Sequence, residues 1–433
     1  MFVLQKFFLL KIFNEERVLE RFFSLLIIIS IPINLAWNRR YDSTWTVGEW
    51  LISYGGGFVR RGLPGEIIYK LSDNFNIPPV LLIHIFSSLS LILLSLILIN
   101  FSRGIFNKSL LLSQLMIMGP LAGDYFVRKD TFLVVLYAFC LMILKIFYEK
   151  KINQITLILG INLISIIAIL SHEMFGIWGL PSLFIIILFI FKERRDILLT
   201  SISKAFFIIS PSLISFWFCW LFKGDPIRAL RIHQSWQSLE NLISHLGALD
   251  VFSQDDLPQK GAIAAIGWSK SQVFSNQILD DFSIGIIWHP AIWLLTIFVI
   301  MQLFIGSKSD FFRKIKRIII CIQFIPIIPM FLMVDFGRWL FIWVTTSALL
   351  IGFINKTLGL ESFYEKFTKV LNYKLISKIT PGFASKKIYN IFLLFTGIPH
   401  SWWSIHDFLD STPIGFLIYN FYMYFKGFLK VFF

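Results

Sequence analysis

Apolar runs of near membrane-spanning length recur along this chain, and they constrain the fold more than any other feature. A helix needs about 20 mostly apolar residues to cross a bilayer. Runs near that length fall at 21–37, 78–100, 109–124, 130–148, 152–172, 174–191, 202–222, 285–305, 318–334 and 339–355. Two shorter runs, 388–399 and 413–425, suit re-entrant or interfacial segments. Charged residues make up 15% of the 433, against about a quarter in soluble domains, so a soluble globule is excluded. The predicted fold is all-α: a polytopic integral membrane protein with about 10–12 transmembrane helices.

The formal charge of +14 does not point to nucleic acid. Its basic residues sit in short loops between apolar runs, where they orient spans and meet anionic lipid. Cys140, Cys219 and Cys321 all lie inside apolar runs, with neither disulfide nor zinc-ligand spacing. The opening MFVLQKFFLLKIFNEERVLERFF has no basic region ahead of its apolar stretch and no small-residue cleavage site. It reads as an amphipathic helix on the inner leaflet.

With a cytoplasmic N-terminus, the inner loops hold Arg103, Lys108, Lys150, Lys151, the KERR at 192–195 and the basic segment 355–387, as the positive-inside rule requires. Two larger loops, 38–77 and 223–284, then face outward, and the whole of 1–433 forms a single transmembrane domain. Tryptophans gather near the outer side. They form either an aromatic belt or a set of flat faces on which a sugar ring can stack. Trp45, Trp50, Trp178 and Trp339 are the candidates for the second role.

The same outer side collects the ionisable residues that are costly to keep at span ends. In the first loop, 43–54 and 64–74 carry apolar residues at helical spacing and are predicted to be short juxtamembrane helices. Between them GGGFVRRG can turn sharply and bring Arg60 and Arg61 to one phosphate, the alternative being two arginines that reach lipid headgroups. Asp42, just past the first span, is the first choice for a general base, with an N-cap as its competing role.

GDYFVRKD packs Asp124, Arg128, Lys129 and Asp130 into one tight turn. The two acids either orient Arg128 and Lys129, act as a second acid, or hold a hard cation such as Mg²⁺ or Mn²⁺; Asp130 also suits a helix cap. SHEMFG lacks the second histidine of HExxH, since Gly176 stands there, so a zinc protease is rejected. His172 and Glu173 remain an acid/base or acceptor-binding pair, against plain packing. In DFGRW, Asp335 and Arg338 either pair with each other or leave Arg338 for a phosphate.

An acid soon after the first span, two juxtamembrane stretches, a large outer loop at 223–284 and RKDTFLVVLYAF at a span start resemble the GT-C superfamily of membrane glycosyltransferases. The resemblance is architectural and covers residues 21–305. The chain lacks the paired acids that some members carry after the first span, which makes Glu49 or Asp124 substitutes for Asp42 as base. GGFVRRG, RKD, HE and DxGRW together also resemble membrane proteins of bacterial surface-polysaccharide clusters.

The resemblance implies an enzyme of the bacterial inner membrane with its site facing the periplasm or exterior. It would take a sugar from a polyprenyl-phosphate or polyprenyl-diphosphate donor and pass it to a glycan or lipid acceptor. In that reading Asp42, Asp124 and Asp130 are catalytic candidates. Arg60, Arg61, Arg128, Lys129 and Arg338 are donor-phosphate ligands, and His172, Glu173, Asp335 and Glu49 serve the acceptor or proton transfer. Joining of lipid-linked repeat units, as an O-antigen polymerase does, uses the same residues. A transporter or flippase of a lipid-linked glycan would instead want charge at mid-bilayer on interrupted helices.

Overall fold

The computed structural model describes residues 46–102, 127–193, 197–239, 261–268, 322–332 and 336–357, together with Met116, Leu242 and Ile319. In chain order its helices are α1 (Gly62–Phe75), α2 (Pro79–Ser102), α3 (Asp130–Tyr148), α4 (Gln154–Ser171), α5 (Phe175–Glu193), α6 (Leu198–Leu221), α7 (Pro226–Gln237), α8 (Ala262–Ala265) and α9 (Phe336–Thr357). A 3₁₀ helix, Ile325–Leu332, precedes α9. No strand occurs among the described residues. Six helices, α2 to α6 and α9, are long and apolar enough to cross a membrane, so the chain is a polytopic membrane protein.

Each of the six lies where the hydropathy placed a span, and α3 has the predicted bounds. The expected spans 21–37, 285–305, 388–399 and 413–425, the N-terminal helix and nearly all of 109–124 and of the basic segment lie outside the described residues. The expected span 318–334 is described mainly as the 3₁₀ helix, whose Pro326 and Pro329 lack the amides that an α-helical ladder uses.

α3 sits at the centre, packed against α2, α4, α5 and α9. A buried polar group needs a partner in such a core. Tyr137 Oη, midway along α3, accepts from Ser182 Oγ and Gln323 Nε2, both at 2.9 Å. α9 is 83% buried over its spanning window, whereas α6 is only 28% buried and presents Phe206, Phe207, Ile214 and Trp217 outward to lipid.

α6 contains Pro211, which has no amide to give the carbonyl one turn back. Ser210 Oγ donates to that carbonyl, Phe207 O, at 2.8 Å. One residue further on, Asn162 of α4 donates to Ile208 O at 2.6 Å and accepts from Ser212 N at 3.1 Å and Ser212 Oγ at 2.7 Å. Ile208 O and Ser212 N are the groups that pair in a regular turn, so the Asn162 amide reaches into the ladder of its neighbour.

The helix predicted at 64–74 is present as α1. The one predicted at 43–54 is not: from Thr46 to Tyr54 the described backbone makes turns and then an irregular stretch. Its carbonyls are needed elsewhere. Leu51 O accepts from Trp236 Nε1 of α7 at 2.8 Å, and Ile52 O lies against Gly65 of α1, where a Cβ would come within 2.0 Å of it. This path brings both carbonyls against α1 and α7, contacts that the spacing of side chains does not record.

α7 is thus seated on the segment before α1 and on α1 itself, with Trp236 also edge-on to Tyr69 at 5.2 Å. Asp225 accepts from Arg228 N at 2.8 Å and Pro226 follows it, the arrangement that starts a helix sharply. At the far end of the bundle Glu149 meets Lys145 and Lys151, and Lys356 of α9 donates to Asn100 O of α2.

Candidate functional site

The starts of α3, α5 and α9, the end of α4 and the loop that precedes α1 meet at one end of the bundle. The loop reverses at Gly57, whose φ of +94° suits glycine, and Arg60 N then donates to Phe222 O, just past α6, at 3.0 Å. Arg61 follows in the left-handed region with φ 65°, unusual for a long side chain. That conformation turns its carbonyl and its guanidinium toward different partners.

Glu173, in the turn between α4 and α5, takes both guanidinium groups. Arg61 Nε and Nη2 reach its two oxygens at 2.7 Å each in a fork, and Arg60 Nη1 reaches Oε1 at 3.0 Å. The carboxylate is 4% exposed, while the two arginine side chains are 26% and 24% exposed. Burial opposes the charge on Glu173, but Arg61 and Arg60 outweigh it and hold the carboxyl well below its ordinary range. Two cations on one anion leave a positive charge at the accessible edge.

The adjoining half of the cluster is organised around Arg338 of α9. Its Nε donates to Asp130 Oδ2 at 2.6 Å, Nη1 lies 3.8 Å from Glu49 Oε1, and Nη2 is 3.3 Å from His172 Nε2. Glu49 Oε2 and Asp130 Oδ1 are buried and have no hydrogen-bond partner among the described residues. Burial opposes the charge on Glu49, yet Arg338 and Arg128 overcome it and bring its carboxyl down to about 2.

His172 stands between the halves. Burial, followed by the charge of Arg61, lowers it well below its usual value, so it is neutral near pH 7. A neutral imidazole accepts one hydrogen bond in its plane, and two donors compete for it: Arg338 at Nε2 and Met174 N at Nδ1, the latter also 3.3 Å away.

The backbone frame under these side chains is closely tied. Trp50 Nε1 and Ser87 Oγ both donate to Val127 O, which fixes the approach to Arg128, Lys129 and Asp130. Five basic side chains meet three carboxylates, so the described cluster keeps surplus positive charge. Helices α3, α5 and α9 add the positive ends of their dipoles.

Several expectations change. Lys129 is not a phosphate ligand here: it is fully buried, and its Nζ donates to Arg61 O at 3.2 Å and Ser171 O at 3.3 Å. Asp130 orients Arg338 by the strongest contact it makes, and α3 begins without a side-chain cap. Glu173 is not half of an acid/base pair with His172, because 3.7 Å separates Nδ1 from Oε2 and its carboxylate is committed to the arginines.

Trp50, Trp178 and Trp339 are not exposed sugar platforms. They are buried, with Trp50 against Phe132, Trp178 between Tyr137 and Phe175, and Trp339 under the Arg338 guanidinium. Arg128 is buried beside Glu49. Asp42, Trp45, Asp124 and Asp335 lie outside the described residues.

Among the described residues no three of His, Cys, Asp and Glu gather as they would around a metal ion. The sequence reading missed the carbonyl of Ser171 and the role of Trp236, neither of which has a local signal. No protein-family model matches this sequence, and no curated protein or solved structure shows significant similarity to it.

Proposed function

We propose that this protein is a membrane glycosyltransferase of GT-C type. It takes a sugar from a polyprenyl-phosphate or polyprenyl-diphosphate carrier on the outer face of a bacterial inner membrane, during assembly of a surface polysaccharide or glycolipid. One observation carries the reading: Arg60 and Arg61 stand side by side on a single buried carboxylate, with their outer edges open. Adjacent guanidinium groups with a net positive charge suit a phosphate at the bilayer surface. Fixed cations lower the barrier most where the departing phosphate gains charge.

The other half of the cluster supports the same reading from behind: Glu49 and Asp130 are buried on Arg338 and hold its guanidinium in place beneath the arginine pair. In the proposed transfer an acceptor hydroxyl oxygen bonds to the anomeric carbon as the bond from that carbon to the phosphate oxygen breaks. The phosphate leaves with the electron pair, and the hydroxyl proton passes to a base.

Glu49, buried and held near 2, is a poor base. Asp42 is retained as the proposed base.

Binding of farnesyl phosphate to the full chain in lipid nanodiscs tests the anion half. The double variant R60Q/R61Q is expected to bind at least about tenfold more weakly while retaining its elution profile and melting temperature within a few degrees. Unchanged affinity removes the arginines from donor recognition. Asp42→Asn is expected to abolish glycan transfer without loss of membrane insertion, read as the mass of surface glycan in complemented cells. Activity near that of the wild type removes Asp42.

A further inference from the structure

Lys129 is the one cation of the cluster that is wholly enclosed, and its ammonium is spent on backbone. From the position before α3 it donates to the carbonyl of Arg61 and to that of Ser171, the last residue of α4. It therefore ties three elements at one point: the first outer loop, α3 and α4. The carbonyl it holds on the loop belongs to the residue in the left-handed conformation.

Arg61 can present its guanidinium to Glu173 only while its carbonyl points the other way, and Lys129 is the donor that holds that carbonyl. Release of this bond leaves a buried C=O without its charged donor and removes the contact that favours the φ of 65°. The next residue back is Arg60, so a relaxed turn displaces both guanidinium groups together.

We propose that Lys129 is a positioning residue that aims the Arg60–Arg61 pair at an anionic ligand, and that loss of its proton disarms the pair. This rests on the reading that Arg60 and Arg61 bind a phosphate. The surroundings make the proton labile in the physiological range. Burial is the main cause and Arg61 adds to it; with Arg338 also opposing the charge, and Glu49 and Glu173 favouring it, the ammonium comes down to about 7.

On its own element Lys129 is flanked by Arg128 and Asp130. The first loop faces it with Glu49 and Arg61, the α4–α5 turn with His172 and Glu173, and α9 with Arg338. His172 is held neutral and both glutamates are held anionic near pH 7. Among the described groups named here that lie outside the spans, Lys129 is thus the one whose charge changes there.

The sign follows directly. Below about pH 7 the ammonium is charged and the turn is fixed; above it the amine is neutral, the bonds to Arg61 O and Ser171 O weaken, and anion affinity falls. The dependence runs opposite to that of a simple phosphate monoester, which gains charge as pH rises. For the outer face of a membrane this means donor capture is tuned to external acidity.

The test is binding of farnesyl methyl phosphate, a diester that stays singly charged throughout, to the full chain in nanodiscs from about pH 5.5 to about pH 9. The wild type is expected to lose about tenfold in affinity across the range, the scale of one charge-assisted hydrogen bond. K129M should be flat at the weak level and K129R flat near the strong one. A general structural defect would lower affinity without removing the slope.

A flat wild-type profile, or a slope that survives in K129M, overturns the proposal. Should K129M not fold, K129Q and the wild-type profile decide by the same criteria. Absence of binding by folded wild type at every pH removes the phosphate reading and this inference with it. Binding with a flat profile removes the inference alone.

Discussion

Replacing Glu173 by glutamine exposes what the buried carboxylate does for the two arginines above it. The isostere keeps an acceptor oxygen but removes the charge, leaving Arg60 and Arg61 adjacent and uncompensated. In the wild type three charge-assisted hydrogen bonds of 2.7, 2.7 and 3.0 Å converge on that carboxylate. Removing one partner of a fully buried pair costs about 3–5 kcal/mol. Here the arginine side chains are about a quarter exposed, so water takes up part of the repulsion, and the expected loss is about 2–3 kcal/mol.

For a chain of 433 residues that corresponds to a fall in melting temperature of roughly 2–4 °C. Tryptophan fluorescence of the detergent-purified protein during heating gives the measurement. The triple variant R60Q/R61Q/E173Q should melt above E173Q, because it removes the repulsion along with the anion. An E173Q that melts within about 1 °C of wild type, or a triple variant less stable than E173Q, refutes the reasoning.

Two further outcomes follow from the packing of the first loop. Gly65→Ala places a Cβ 2.0 Å from Ile52 O, a backbone atom that cannot yield cheaply; a loss of about 1–3 kcal/mol is expected, read as a lower melting temperature and a poorer monodisperse yield. Trp236→Phe keeps the ring against Tyr69 but takes the donor from Leu51 O, and about 1–2 kcal/mol of local stability should go with it, seen as faster limited proteolysis between α7 and α8 with α2 to α6 intact.

The six described spans were legible because hydropathy is a local property and the bilayer imposes a length; α3 began and ended as read. So was the convergence of charged span ends, since alternating helices return to the same side. The pairings were not legible. Arg338 lies 208 residues from Asp130, and Arg61 lies 112 from Glu173, and nothing in either neighbourhood names the partner. Asp130 stood beside two cations in sequence, yet its closest contact is with the cation on another helix.

The stretch 43–54 misled for a definite reason. Trp45, Trp50 and Leu51 repeat at helical spacing, but the spacing records which side chains are apolar and not where the carbonyls go, and here those carbonyls are claimed by α1 and α7. The tryptophans misled similarly. An indole at a membrane boundary serves a belt, a sugar face or a core equally well, and only burial separates the three.

The tie between Arg60 N and Phe222 O carries a mechanical consequence. Phe222 closes α6, which is only 28% buried over its spanning window and whose ladder next to Pro211 takes in one amide from α4. The loop arginine is therefore hung from the tip of a lever that rests in the acyl chains. Bilayer thickness and lateral tension bear on that lever, so the aim of Arg60 is inherited from the lipid as much as from the loop that carries it.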